Sequence, residues 1–169
     1  MGKTVALIIA EQSFRDEEYQ KPKEILEKAG FRVLTASTSV EKAVGKLGMV
    51  VKPDILVKDL INQELDALIF IGGGGSSQYF KDETAHSLAR DFAKQGKISG
   101  AICIAPVILA NAGVLRGKKA TVYPDGKSDL EAGGAVYTGN LVEVDGNLIT
   151  GCGPEAAQAF GERLVEMLK

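Results

Sequence analysis

A chain of 169 residues, 45% hydrophobic and 25% charged, has the balance of a soluble globular protein with one core, and a second domain would be cramped at this length. Its 20 basic and 22 acidic side chains give a formal charge of -2, without the basic surplus that phosphate neutralisation needs, so nucleic acid is not an expected partner. No run approaches the ~20 apolar residues of a membrane helix, and the short apolar stretch Val5 to Ala10 lacks the length and cleavage site of a signal peptide, so residues 1–169 are expected to be one cytoplasmic domain.

Along the chain, β-rich runs alternate with helical patterns. Strands are expected at Thr4 to Ala10, Phe31 to Ala36, Ala67 to Ile71, Ile98 to Ile102 and Ala120 to Tyr123. Several are apolar throughout, which marks strands buried on both faces of a mainly parallel sheet. Helices are expected at Glu18 to Ala29, Glu83 to Gln95, Pro106 to Ala112, Lys127 to Ala132 and Glu155 to Leu168, with Gly30, Gly96 and Gly113 as stop residues after the first three. Two segments break the alternation and read as hairpins: Ser39 to Lys52, and Val136 to Ile149 with Asp145-Gly146 as its two-residue turn. The expected fold is therefore a three-layer α/β sandwich, doubly wound, with its ligand crevice outside the carboxyl ends of the strands.

Chemistry concentrates at those ends. In Gly100-Ala101-Ile102-Cys103-Ile104-Ala105-Pro106 an apolar strand meets a helix with a cysteine at the junction and small residues two places either side, as a nucleophile elbow requires. The helix N-terminus points at the sulfur and is expected to favour thiolate, with a pKa below the ~8.5 of a free thiol. A free cysteine is equally at home as a small buried hydrophobe, and spacing alone does not choose. Ile71-Gly72-Gly73-Gly74-Gly75 turns backbone N–H groups inward, to receive an anion or a developing oxyanion or simply to form a flexible turn. Asp16, Glu17 and Glu18 follow the first strand at the same edge. They can cap the next helix, and one facing the thiol in an apolar pocket would have a raised pKa. Cys152, in Gly151-Cys152-Gly153-Pro154, also ends a strand and is either a resolving thiol for an oxidised Cys103 or, as the favoured reading, structural or incidental, and His86, at the start of an expected surface helix, is not expected to be catalytic. One histidine and two distant cysteines give no metal-ligand spacing, and no cofactor motif is present.

Taken together, the acid cluster followed by Pro22, the glycine turn, AICIAP, TVYP and VDGNLITGCGPEAA resemble the ThiJ/PfpI superfamily, within the class I glutamine amidotransferase-like, flavodoxin-like folds. The resemblance covers nearly the whole chain. It implies that Cys103 is the elbow cysteine, that Glu18 rather than Glu17 hydrogen-bonds it, that Gly73 and the Ile104 N–H form the oxyanion pocket, and that Tyr123 sits at its rim. It further implies a homodimer or larger homo-oligomer and a stress-response function of the glyoxalase or deglycase type, acting without cofactor on small reactive carbonyls or modified proteins. A redox sensor or chaperone without turnover is the rival reading. A residual peptidase is disfavoured, because peptidase-like members carry histidine directly after the cysteine and this chain has Ile104.

Overall fold

Residues 2–169 are described by a computed structural model. The central sheet is built from β1 (Thr4–Ile8), β3 (Arg32–Ser37), β6 (Ile55–Leu56), β7 (Ala67–Phe70), β8 (Ile98–Ile102), β11 (Val142–Asp145) and β12 (Leu148–Gly151). Their spatial order is β11-β12-β8-β7-β1-β3-β6, and every neighbour pair is parallel except the β11–β12 hairpin. Helices α1 (Asp16–Lys28) and α5 (Ala157–Leu168) cover one face, and α2 (Glu83–Lys94) and α3 (Pro106–Asn111) cover the other, with α4 (Lys127–Ala132) packed on α3. This is the expected three-layer, doubly wound α/β architecture. Among the described residues no helix is long and apolar enough to cross a membrane.

The sheet is apolar on both faces because its strands are. All five residues of β1 are buried, Ala6 and Ile8 facing one helical layer and Val5 and Leu7 the other. From β1 the chain crosses through α1 to β3 on one side, whereas β7 and β8 lie on the other. The winding direction thus reverses at β1, and the crevice opens where the carboxyl ends of β1 and β7 diverge.

Two expectations need correction. Ala120 to Tyr123 is not a strand of the central sheet: β9 (Lys119–Ala120) pairs only with β10 (Val136–Tyr137), because β12 already occupies the edge of β8 that it would need. The second hairpin turns on Gly146-Asn147 rather than Asp145-Gly146, since Asp145 is paired with Leu148 and Gly146, at φ +62°, takes the first turn position. The first hairpin, β4 (Ala43–Gly45) with β5 (Val50–Val51), is present, and β2 (Gln12–Phe14) joins it in a small sheet that the sequence did not disclose.

Close approach of β8 and β12 fixes one glycine. A Cβ on Gly100 would collide with the Ile149 carbonyl oxygen and side chain and lie 3.2 Å from Ile69 Cδ1. Backbone in the middle of a seven-stranded sheet cannot yield locally. Gly100→Ala is therefore expected to lower stability by about 3 kcal/mol through overpacking, read as a shifted midpoint in urea unfolding.

Candidate functional site

Three successive turns at the carboxyl edge supply the site: the segment after β1 that leads into α1, the glycine turn after β7, and the β8–α3 elbow. At the elbow Cys103 takes φ +67°, a left-handed conformation that a side-chain-bearing residue rarely adopts. Two neighbours clamp it there. The Cys103 N–H donates to the Gly151 carbonyl at 2.8 Å, and the Tyr123 N–H donates to the Cys103 carbonyl at 2.7 Å. Ala101 and Ala105, both fully buried, leave room for the strand and helix to meet. Opposite them Gly72 is equally constrained, since a Cβ there would come within 2.6 Å of Cys103 Cβ, Glu18 Oε1 and the Ile102 carbonyl.

Glu18 rises from the first turn of α1 and is 0% exposed. Its nearest polar neighbours are the Cys103 thiol and the Gly72 N–H, yet neither carboxyl oxygen completes a well-formed hydrogen bond. Burial pushes the Glu18 pKa up to about 8, opposed only in part by the thiol, Arg15 and the Gly72 N–H. Glu17, by contrast, is turned to Arg15, which donates to it at 2.9 and 3.1 Å and holds its pKa below the usual carboxylate value. Of the two acids, Glu18 is the one that faces sulfur.

Cys103 is 9% exposed, and its pKa is pushed up to about 12, first by burial and next by the charge and hydrogen bonding of Glu18. The N–H groups of Gly73 and Ile104 converge on the sulfur and oppose that rise without cancelling it. This overturns the expectation of an acidified thiol. The reason is physical: α3 is only six residues long, and its end effect is small against the desolvation of a buried anion. When Glu18 is neutral, its charge no longer raises the thiol's pKa, and burial, opposed by the two N–H groups, remains the main cause.

The sulfur lies at the wall of a cavity of about 370 Å³ bounded by Arg15, Lys46, Gly73, Ile104 and Tyr123, the last 41% exposed at the rim. The geometry thus brings together Cys103, Glu18, Gly73, Ile104 and Tyr123. It also adds Arg15 and Lys46, which the sequence did not single out. Lys46 arrives because Asp16, buried in α1, accepts hydrogen bonds from the Leu47 and Met49 N–H groups, both at 2.9 Å, and so ties the β4–β5 hairpin over the crevice. Gly45, whose Cβ would strike the Asp16 carboxylate, was the one local hint of that approach.

His86 is not brought in. It sits in the first turn of the surface helix α2 but its side chain is buried, its Nε2 is 2.9 Å from the Phe80 carbonyl, and it does not line the cavity. Cys152 is half-buried, with Sγ donating to Glu155 Oε1 at 3.5 Å.

Comparison with known proteins agrees with this architecture. The DJ-1/PfpI family model matches residues 3–167. An uncharacterised protein of Methanocaldococcus jannaschii is 39% identical over 168 residues, spanning 98% of this chain and 80% of its own. A deglycase of Pyrococcus horikoshii is 35% identical over 163 residues, spanning 96% and 98%. The crystal structure of a ThiJ/PfpI domain protein from Brachyspira murdochii superposes with a TM-score of 0.95 at 33% identity, over 99% of this chain and 98% of that one.

Burying an acid without a firm partner has a measurable cost. Because the folded pKa of about 8 lies above the ordinary 4.5, the folded state binds this proton more tightly. The stabilisation is complete below pH 4.5 and is lost as pH rises toward about 8. Glu18→Gln should accordingly match the wild type near pH 4.5 and exceed it at pH 8.5 by on the order of a few kcal/mol in urea unfolding.

Proposed function

The chain belongs to the DJ-1/PfpI family, and on that footing we propose that it converts small reactive carbonyl compounds, glyoxals or the early adducts they leave on protein amines and thiols, by covalent catalysis at Cys103. The observation that carries this reading is the pairing of one strained, cavity-facing thiol with one buried carboxyl whose pKa is held at about 8. A group of that pKa is matched to moving a proton near neutral pH. The deglycase name of the Pyrococcus horikoshii relative supports the substrate class.

In the proposed first step the ionised Glu18 carboxylate takes the thiol proton as Cys103 Sγ bonds to the carbonyl carbon. The carbonyl π electrons move to oxygen, and the N–H groups of Gly73 and Ile104 receive the oxyanion. The protonated Glu18 then returns its proton to that oxygen, leaving a neutral hemithioacetal. Atoms and charge balance without cofactor or metal. The hemithioacetal is common to isomerisation of a free glyoxal and to release of a glyoxal from an adduct.

A peptidase has less support from the same geometry. Amide cleavage needs an acid that protonates a leaving amine, usually a histidine beside the thiol. The position after Cys103 is Ile104, and His86 is turned to Phe80.

The reading extends to a homodimer or larger assembly, supported by the exposed apolar side chains of Leu47 and Val50 on the hairpin beside the cavity. Sedimentation at micromolar concentration should give at least a dimer, and a monomer would reject that part.

The catalytic claim is tested by following lactate formed from methylglyoxal. Cys103→Ala should abolish it, and Glu18→Gln should lower kcat by about 10²-fold or more, the scale of a lost proton-transfer group. An unchanged rate in Cys103→Ala sinks the mechanism.

A further inference from the structure

The carbonyl chemistry makes no use of Cys152, yet the sheet places it beside Cys103. Strands β8 and β12 run parallel with Ile102 opposite Gly151, so Cys103 and Cys152 are the next residues across the ladder. The hydrogen bond from the Cys103 N–H to the Gly151 carbonyl, 2.8 Å, holds that register at the point where the strands end. Adjacent strands stand about 4.8 Å apart, inside the roughly 4.4 to 6.8 Å between Cα atoms that a disulfide spans.

Direction matters as much as distance. Strict alternation would send the Cys103 side chain to the same face as Ala101, beneath α2 and α3. The left-handed backbone at Cys103 swings it over instead, so that it packs with Ile102 and Phe160 beneath α1 and α5. Cys152 packs against that same cluster. Both sulfurs therefore lie on one side of the sheet. Cys152 is half-buried rather than sealed, and its Sγ donates to Glu155 Oε1 at 3.5 Å.

We propose that Cys152 is the resolving thiol for an oxidised Cys103, so that a hydroperoxide closes a reversible Cys103–Cys152 disulfide across the ends of β8 and β12. In the first step Cys103 Sγ bonds to the distal oxygen of the hydroperoxide and the O–O bond breaks. The thiol proton passes through Glu18 to the departing alkoxide or hydroxide, leaving Cys103 as sulfenic acid. The sulfur loses two electrons and the peroxide gains them. In the second step Cys152 passes its proton through Glu155 and bonds to the Cys103 sulfur, and the sulfenic hydroxyl leaves as water. Two external thiols restore the pair and depart as their own disulfide.

This inference does not rest on the carbonyl reading, although the bond would occupy the sulfur that carbonyl attack requires. Its consequence for Cys103 is protection: resolution competes with further oxidation to sulfinic acid.

The full chain, reduced and then exposed to one equivalent of hydrogen peroxide, is alkylated, digested without reductant and mapped by mass spectrometry. The expected product is a cross-linked Cys103–Cys152 peptide pair that dithiothreitol separates. In Cys152→Ser the cross-link is absent, and the yield of Cys103 sulfinic acid rises by about tenfold. Cys152→Ala serves as a second variant if the serine disturbs folding. Equal sulfinic yields in wild type and both variants, or cross-links found only between chains, would overturn the proposal.

Discussion

Everything at this site follows from one placement: the Glu18 carboxyl is buried against the Cys103 sulfur with no firm hydrogen bond to satisfy it. Two acids that would each be charged or chargeable in water are kept protonated chiefly by burial, and Glu18 further raises the thiol's cost of ionising while the thiol partly eases that of Glu18. Such a contact is unfavourable for folding and useful for proton transfer. The surrounding structure over-determines it, since a carboxyl free to turn toward solvent would do so.

The doubly wound topology supplies that constraint economically. Glu18, Gly72 and Cys103 come from the segments that follow three different parallel strands, and the reversal at β1 lets those segments converge. Gly72 sits between the other two, where any side chain would occupy the space of both. Gly73, at φ +99°, then directs its N–H to the sulfur, a direction that the ordinary allowed backbone region does not provide. The strain at Cys103 is held by strand-like hydrogen bonds to Gly151 and Tyr123, so the cost of the elbow is distributed over its neighbours.

How much of this the sequence displayed depends on whether the cause was local. The apolar runs of β1, β7 and β8 announced a buried parallel sheet, and AICIAP announced the turn on which Cys103 sits. Pairing partners were not local. Ala120 to Tyr123 has the composition of a sheet strand, but whether it joins the sheet is decided by β12, some thirty residues away, taking the edge of β8. Lys46 reached the cavity through Asp16, a contact that links a helix to a hairpin and leaves no periodic trace in either. The thiol's ionisation was misread for a related reason. A helix N-terminus is visible in sequence, whereas the depth of burial that outweighs it is a property of the assembled sheet.

A thiol pushed up to about 12, first by burial and next by Glu18, is not thereby inert, because Glu18 lies beside it to take its proton. The site does not store a free thiolate waiting for substrate. At rest both groups are mostly protonated, and in the fraction whose Glu18 is ionised an electrophile entering the cavity draws electrons from sulfur while the carboxylate takes up the proton that sulfur releases. The resting pair stays nearly neutral, which suits a buried position. In the proposed step the negative charge passes from Glu18 to an oxyanion opposite Gly73 and Ile104, where peptide N–H groups are already aimed. Reactivity in such an arrangement depends on a partner arriving rather than on standing ionisation, so a buried cysteine can be both quiet toward solvent and competent in its pocket.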